Sequence, residues 1–148
     1  MSENQSRPDE FRIGKESLPI TLVETAVVKE GVECDIYAFV GDIFRDLAIV
    51  RVTKGFKTPV QRILTGLKTT EGFISGEGML TVVDSNGAKN VYEFKLGETG
   101  KPVDVTIGQV MQWYASGDSD LTFYEICEPP YQDGRYENLP EEYITPID

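Results

Sequence analysis

The chain has 148 residues, a formal net charge of −11 and a hydrophobic content of 40%. This length supports one domain with its own core, and no segment carries the roughly 18 uninterrupted apolar residues of a membrane helix. The acidic charge argues against nucleic acid, whose phosphates require a basic surface, and against anionic membranes, so neither is expected as a partner.

The histidine and cysteine contents limit the chemistry further. The chain contains no histidine, which removes the commonest metal ligand, the usual general base and every Ser–His or Cys–His nucleophile pair. The N-terminal segment is polar and acidic and lacks the layout of a signal peptide, so we expect a cytoplasmic protein. Cys34 and Cys127 are accordingly expected to be buried thiols and not a disulfide.

Residues 1–17 form a polar arm without periodicity, which we expect to be loose or ordered only by docking on a neighbour. Residues 18–128 contain ten short segments with strand-like alternation and turn signals between them. These segments are 18–28, 32–40, 42–53, 60–64, 70–75, 79–83, 91–96, 103–107, 110–115 and 121–127. Asn86-Gly87 and residues 116–118 read as hairpin turns. The pattern predicts an all-β protein, an antiparallel jelly-roll barrel.

The segment 129–148 differs in composition from the barrel. Pro129-Pro130 ends the last strand, and three tyrosines recur in an acidic context: Tyr131, Tyr136 and Tyr143. We expect this tail to pack either on the barrel of its own chain or on a second subunit.

Two spaced motifs organise the middle of the chain. One motif consists of Gly55, five residues, Gln61, one residue, Ile63, and later Glu71, six residues and Gly78. It resembles the first cupin motif, G-x5-H-x-H-x3-4-E-x6-G. The other motif consists of Gly100, five residues, Thr106, Ile107, Gly108, two residues, Met111, three residues and Ala115. It has the spacing of the second cupin motif, G-x5-P-x-G-x2-H-x3-N. The chain therefore resembles the cupin superfamily, which implies a small barrel with a pocket.

In that family a divalent metal is held by two histidines and a glutamate of the first motif and a histidine of the second. The matching positions here are Gln61, Ile63, Glu71 and Met111, and only Glu71 is a good ligand for a hard cation. Catalytic metal sites need about three protein ligands, so we predict no tightly bound transition metal and no cofactor. The resemblance also implies a homodimer.

Strand alternation indicates which side chains would enclose the pocket. It places Met111 and Trp113 on one face of their strand, and Gln61 and Ile63 on one face of theirs. Together with Tyr37 these are the predicted ligand-binding residues. An apolar pocket with an indole and an amide suits a small organic molecule.

Three functions remain open from the sequence. The first is a metal-free barrel that binds a small organic ligand, either sugar-like or an organic acid. The second is a metal-independent sugar or sugar-nucleotide isomerase or epimerase, with Glu71 as the catalytic base and a tyrosine as the acid. The third is a structural or interaction module with a filled barrel.

Overall fold

The computed structural model describes residues 7–130 and 134–144. Within them the chain forms twelve β-strands, and the ten expected from the sequence are all present. The strands are β1 (Glu10–Ile13), β2 (Glu16–Lys29), β3 (Val32–Phe39), β4 (Asp42–Val52), β5 (Val60–Ile63), β6 (Lys68–Gly76), β7 (Gly78–Val83), β8 (Lys89–Phe94), β9 (Val103–Thr106), β10 (Val110–Tyr114), β11 (Leu121–Glu128) and β12 (Tyr136–Leu139). A short 3₁₀ helix, Glu141–Ile144, follows β12. The all-β prediction is confirmed.

The strands of these two ranges form two antiparallel sheets with the main core between them. The large sheet has the order β1-β2-β3-β4-β11-β6-β9, and the small sheet has the order β12-β5-β10-β7-β8. From β4 onward the chain passes repeatedly between the sheets, as in a jelly roll. No helical segment in the described ranges has the length and apolar character that crossing a membrane requires.

The connection at residues 116–118 is not the hairpin turn that the sequence predicts. It joins β10 of the small sheet to β11 of the large sheet, so it crosses from one sheet to the other. Turn residues mark where a strand ends, but they do not fix which strand becomes the hydrogen-bonded neighbour.

The described part of the polar arm, residues 7–17, contains a strand, whereas the sequence predicted an arm that is loose or ordered only by docking on a neighbour. Its strand β1 pairs with the start of β2. Phe11 packs edge-to-face on Tyr124 of β11, with ring centroids 4.9 Å apart. The arm therefore covers the outer face of the large sheet, the side away from the small sheet. The apolar pattern of β1 in the sequence is weak, because only Phe11 and Ile13 of this strand are partly buried against the large sheet.

A second core and an ion cluster around the buried Asp35 lie on this outer face. The second core comprises Ile20, Tyr37, Phe39, Leu47 and Ile126.

Beside that core, Asp35 is buried and binds three side chains. Arg51 Nη1 lies 3.0 Å and Arg7 Nε lies 3.1 Å from Asp35 Oδ2, and Thr25 Oγ1 donates to Oδ1 over 2.9 Å. Burial by itself would raise the pKa of Asp35, but the hydrogen bonds from Arg51 and Thr25 and the two positive charges hold it below its usual value. We call these four residues the outer acid cluster.

The described part of the tail, 134–144, packs on its own chain. Strand β12 pairs with β5 at the edge of the small sheet. Arg135 is buried, and its guanidinium donates to the backbone carbonyl oxygens of Pro129, Lys68 and Glu128. Gly66 has a φ of 97°, and a Cβ at this position would collide with that guanidinium. Tyr131 lies outside the described residues.

Candidate functional site

A cavity of about 300 Å³ lies between the two sheets. Its walls are mainly apolar, with polar groups from both sheets among them. The apolar lining residues are Ala26, Val28, Val32, Ile36, Ala48, Val50, Pro59, Met111, Trp113 and Phe123. The polar lining residues are Glu24, Cys34, Asp46, Thr58, Gln61, Glu125, Cys127 and Tyr136. Smaller apolar cavities, of about 150 Å³, bind benzene in other proteins, so a ring-sized organic molecule fits here.

Strand pairing aligns the carboxylates of the large sheet. One row of paired residues runs through Glu24, Ile36, Ala48, Glu125 and Glu71, on β2, β3, β4, β11 and β6. Side chains alternate between the faces of a strand, so every member of this row points inward. Glu24 is exposed at the cavity mouth, and Glu71 is fully buried at the other end of the row.

Glu71 and Glu125 stand directly opposite each other on adjacent strands. Glu71 Oε1 accepts a hydrogen bond of 2.8 Å from Trp113 Nε1. Burial raises the pKa of Glu71 well above its usual range, and the charge of Glu125 raises it further. Burial also raises the pKa of Glu125, although the hydrogen bond from Glu71 and the charge of Arg135 oppose this rise.

The two carboxyl groups titrate as a pair. Each affects the pKa of the other, and burial raises the pKa of both. A hydrogen bond between two carboxyl groups requires a proton on one of them. We call Glu71 and Glu125 the inner carboxyl pair.

An aromatic stack fixes the indole that binds Glu71. Trp113 stacks on Phe123 and Phe94, with centroid distances of 4.4 and 5.7 Å, and Phe94 stacks on Phe73 at 4.9 Å. Trp113 is only 1% exposed as a result. Its ring serves mainly as a packed wall, which limits stacking with a ligand.

Tyr136 brings the tail into the cavity wall. Its hydroxyl oxygen lies 3.4 Å from Cys127 Sγ, and its side chain also hydrogen bonds to Glu125. Burial and the charge of Glu125 raise the pKa of both Tyr136 and Cys127. Burial likewise raises the pKa of Cys34, to about 12. Both thiols therefore stay protonated at neutral pH and are poor nucleophiles.

The structure brings together some of the predicted site residues and separates others. Gln61, Met111 and Trp113 line the cavity. Ile63 is fully buried in the main core, and Glu71 lies behind Glu125 and off the cavity wall.

Tyr37 is placed elsewhere, in the second core on the outer face of the large sheet. It follows Ile36, which faces the cavity, and consecutive residues of a strand point to opposite faces. Tyr37 therefore cannot reach a ligand in the cavity.

Of the polar residues that line the cavity, only Gln61 was predicted from the sequence, and those that were not predicted include Glu125, Asp46 and Tyr136. The sequence contains a pattern that indicates an inward position for Glu125 and Asp46. Glu125 alternates with Phe123 and Cys127 on β11, and Asp46 precedes Ala48 and Val50 at the same spacing on β4. A carboxylate in an inward apolar series indicates a functional or paired group, since burying a lone charge is costly.

Comparisons with known proteins bear on the fold. No family model and no curated protein matches the chain. CapF, the capsular polysaccharide assembling protein of Staphylococcus aureus, is 14% identical with a TM-score of 0.63, over 82% of this chain and 34% of that protein. Oxalate decarboxylase from Bacillus subtilis is 21% identical with a TM-score of 0.63, over 80% and 32%. The 7S globulin of Momordica charantia is 11% identical with a TM-score of 0.61, over 80% and 36%.

The chain has the cupin fold. The resemblance seen in the two glycine-framed motifs is thereby confirmed. The chain spans about a third of the length of each of these three proteins.

The residues at the cupin metal positions do not fit a transition metal. Ile63 has no donor atom, and Gln61 Nε2 already donates to Asn138 Oδ1 over 3.1 Å. Met111 offers only a thioether, and Glu71 is held by the Trp113 indole. The parts of the chain that the structure describes contain no group of three His, Cys, Asp or Glu side chains arranged to hold a metal ion. By contrast, oxalate decarboxylase of Bacillus subtilis has Mn(II) centres.

Proposed function

We propose that this cupin-fold chain binds a small organic molecule in the cavity between its sheets, without a metal ion. The observation that carries the proposal is the cavity of about 300 Å³, with apolar walls and a few convergent polar groups. This is the usual composition of a site for a small organic ligand. The cavity also favours a ligand-binding function over the role of a purely structural module, in which side chains would fill the barrel.

The charges of the cavity wall favour some ligands over others. Glu24, Asp46 and Glu125 line it, and its described lining includes no lysine or arginine. An organic acid would meet these carboxylates with no lysine or arginine on the described lining to bind it. A sugar-like or otherwise non-anionic molecule is therefore better supported than an organic acid.

A thermal-shift panel of sugars, polyols, amines and organic acids, followed by calorimetry, tests the proposal. Ala26→Phe places a ring in the cavity wall, and Val27→Phe places the same ring on the opposite, 71% exposed side of β2. We expect a panel compound to stabilise the unmodified chain and Val27→Phe but not Ala26→Phe. Absence of any stabilising compound, or full binding by Ala26→Phe, would contradict binding in the cavity.

A second candidate function is a metal-independent isomerase or epimerase acting on a sugar. The observation that favours it is the hydrogen bonding of Glu125 to both Glu71 and Tyr136. Glu125, and not the predicted Glu71, faces the cavity, so it is the group able to take a substrate proton. Tyr136 is the tyrosine placed to act as the acid.

Proton exchange between a bound sugar and deuterated solvent tests this second function. We expect Glu125→Gln to abolish exchange and Tyr136→Phe to slow it. Exchange that survives in Glu125→Gln would remove Glu125 as the base. The homodimer and the cytoplasmic location stay predictions.

A further inference from the structure

We propose that a second copy of this chain docks on the free edge of β2, so that the two β2 strands pair antiparallel about a two-fold axis at Ala26. The inference goes beyond the proposed function and does not rest on it. It names a contact surface for the homodimer that the family resemblance implies. Three features of β2 support it: an unpaired edge, exposed apolar residues and two complementary charges.

The second half of β2 has a neighbouring strand on one side only. Strand β1 pairs with residues 16–19, and the backbone N–H of Ile20 donates to Asp9 O over 3.0 Å. From there to Lys29 the strand pairs with β3 alone among the strands of the described residues. The backbone groups that point away from β3 can therefore accept another strand.

This edge is apolar but carries one charge that a partner has to match. Leu22, Val23, Val27 and Val28 are all exposed, and the edge contains no proline between residues 20 and 29. Inward-pointing charges and β-bulges are the usual means of keeping an edge strand from pairing. Here Glu24 is such a charge, and two irregularities interrupt the pairing with β3. An incoming strand must therefore place a positive charge beside Glu24.

The sequence of β2 itself supplies that charge. Glu24 pairs with Ile36 and Lys29 pairs with Val32, and both partners line the cavity. Paired residues point to the same face of a sheet, so Glu24 and Lys29 both lie on the inner face. The register shift between Val27 and Lys29 places Lys29 there despite the odd spacing. Both charges are exposed, and neither forms an ion pair within the described parts of the chain.

Two-fold symmetry brings these charges together twice. When Ala26 faces its counterpart in the other copy, the register of β2 sets Glu24 of each copy opposite Lys29 of the other. The axis then lies near the middle of the free segment. Opposite charges directly across an antiparallel pair stabilise it, and like charges destabilise it. The charge pattern therefore fits a second copy of this chain.

The contact would also complete the mouth of the cavity. Glu24, Ala26 and Val28 line the cavity on the β2 side. Pairing continues the large sheet beyond β2 and sets Lys29 of the other copy beside Glu24. Each copy thus contributes a positive charge to the rim of its partner's cavity.

Sedimentation velocity of the full chain over a range of concentrations tests the proposal. The salt concentration is about 0.1 M, at which charges more than about 10 Å apart are largely screened. We expect a dimer that forms with increasing concentration. Glu24→Lys and Lys29→Glu should each weaken dimerisation by about tenfold, because each variant replaces two attractive contacts with two repulsive ones.

Mixing the two variants separates this contact from a folding defect. In a heterodimer of Glu24→Lys with Lys29→Glu, both contacts again join opposite charges. We expect the equimolar mixture to dimerise about as well as the unmodified chain. Glu93→Lys makes the same charge change at an exposed position on β8, the edge strand of the small sheet, and should leave dimerisation unchanged.

Three outcomes would overturn the proposal. One is a chain that stays monomeric at every concentration, which would leave the edge to another occupant and the proposed ligand binding untouched. Another is a dimer that both β2 variants retain or that Glu93→Lys weakens, since its interface would lie on a different surface. The third is a mixture that stays monomeric although circular dichroism shows both variants folded, because the two charges would then not face each other.

Discussion

Two buried acids on opposite faces of the large sheet differ in their neighbours. Asp35, on the outer face, is 2% exposed, and Glu71, on the inner face, is 1% exposed. Two arginines and a threonine hold the pKa of Asp35 below its usual value. Burial and a second carboxyl group raise the pKa of Glu71 well above its usual range. Similar burial therefore accompanies a lowered pKa on one face and a raised pKa on the other.

The comparison separates a stabilising cluster from the proposed binding site. The outer acid cluster contains its own counter-charges and ties Arg7 of the N-terminal arm to the sheet. In the inner carboxyl pair the neighbour of Glu71 is a second acid, and the positive charge that acts on Glu125 is that of Arg135. Four expectations follow, each of which changes one side of this comparison.

The largest effect is expected from Arg7→Leu combined with Arg51→Leu. These changes leave Asp35 as an uncompensated buried acid, like the inner pair. We expect the free energy of unfolding to fall by about 3 kcal/mol. This value is the lower end of the range for a broken buried ion pair, because both arginines are partly exposed. Urea denaturation at pH 7 measures it. Adding Asp35→Asn should restore most of the loss, and no recovery would show that the arginines act through other contacts.

A smaller loss is expected from Trp113→Phe on the inner face. It removes the indole N–H and leaves Glu71 Oε1 without that donor, at a cost of about 2 kcal/mol. The same denaturation experiment measures it. In a Glu71→Leu background the substitution should cost clearly less, since the acceptor is gone. An equal cost in both backgrounds would mean that packing, and not the hydrogen bond, accounts for the loss.

The pH dependence of stability should have opposite signs on the two faces. Since its pKa is raised, Glu71 stabilises the fold below the ordinary carboxyl pKa of 4.5, and this contribution is lost as the pH rises toward its folded-state pKa. In Glu71→Gln the side chain does not titrate, so this loss of stability with rising pH does not occur. We expect the variant to gain stability relative to the unmodified chain between pH 5 and 8, by about 1 kcal/mol.

Asp35 gives the opposite slope. Its pKa is lowered, so its contribution is present above the ordinary value of 3.8 and is lost as the pH falls through its folded-state pKa. Asp35→Asn should therefore differ from the unmodified chain in how stability changes below about pH 4. Denaturation midpoints across pH 2–8 test both variants. Parallel pH profiles for the two would refute the opposite directions of the two pKa shifts.

The smallest effect is expected for an exposed ion pair. Lys68 Nζ lies 3.2 Å from Asp104 Oδ2, and both side chains contact solvent. Lys68→Ala should cost less than about 0.5 kcal/mol, because water screens such pairs. The backbone carbonyl that Arg135 uses is retained in this variant. A thermal melt that falls by many degrees would show that burial is not what distinguishes the outer acid cluster from surface pairs.

Local patterns were enough to predict most of the fold. Alternation on β3 separates Cys34 and Ile36 from Tyr37 and Phe39, and the two sets do face opposite sides of the sheet. Strand β1 was missed because it is short and half polar, and β12 because it pairs only through tertiary contacts with β5. Such contacts leave little trace in the composition of the strand itself.

The site depended more on long-range pairing. The motif placed Glu71 inside the barrel, but only the register between β6 and β11 brings Glu125 opposite it. Tyr136 reaches the cavity because the tail returns to β5. Alternation shows which face a residue occupies, but it does not show which strand lies beside it. Alternation could therefore place Glu125 and Asp46 on the inward face, but it could not place Glu125 opposite Glu71.

The position of Tyr136 on the cavity wall has a consequence during synthesis. Glu24 leaves the ribosome early, whereas β12 is translated only after every strand of the large sheet. At about 5–20 residues per second, a nascent chain has seconds in which its other strands can pair before this wall exists. The proposed ligand, if it needs the complete cavity, binds only the finished protein and does not act as a cotranslational folding aid.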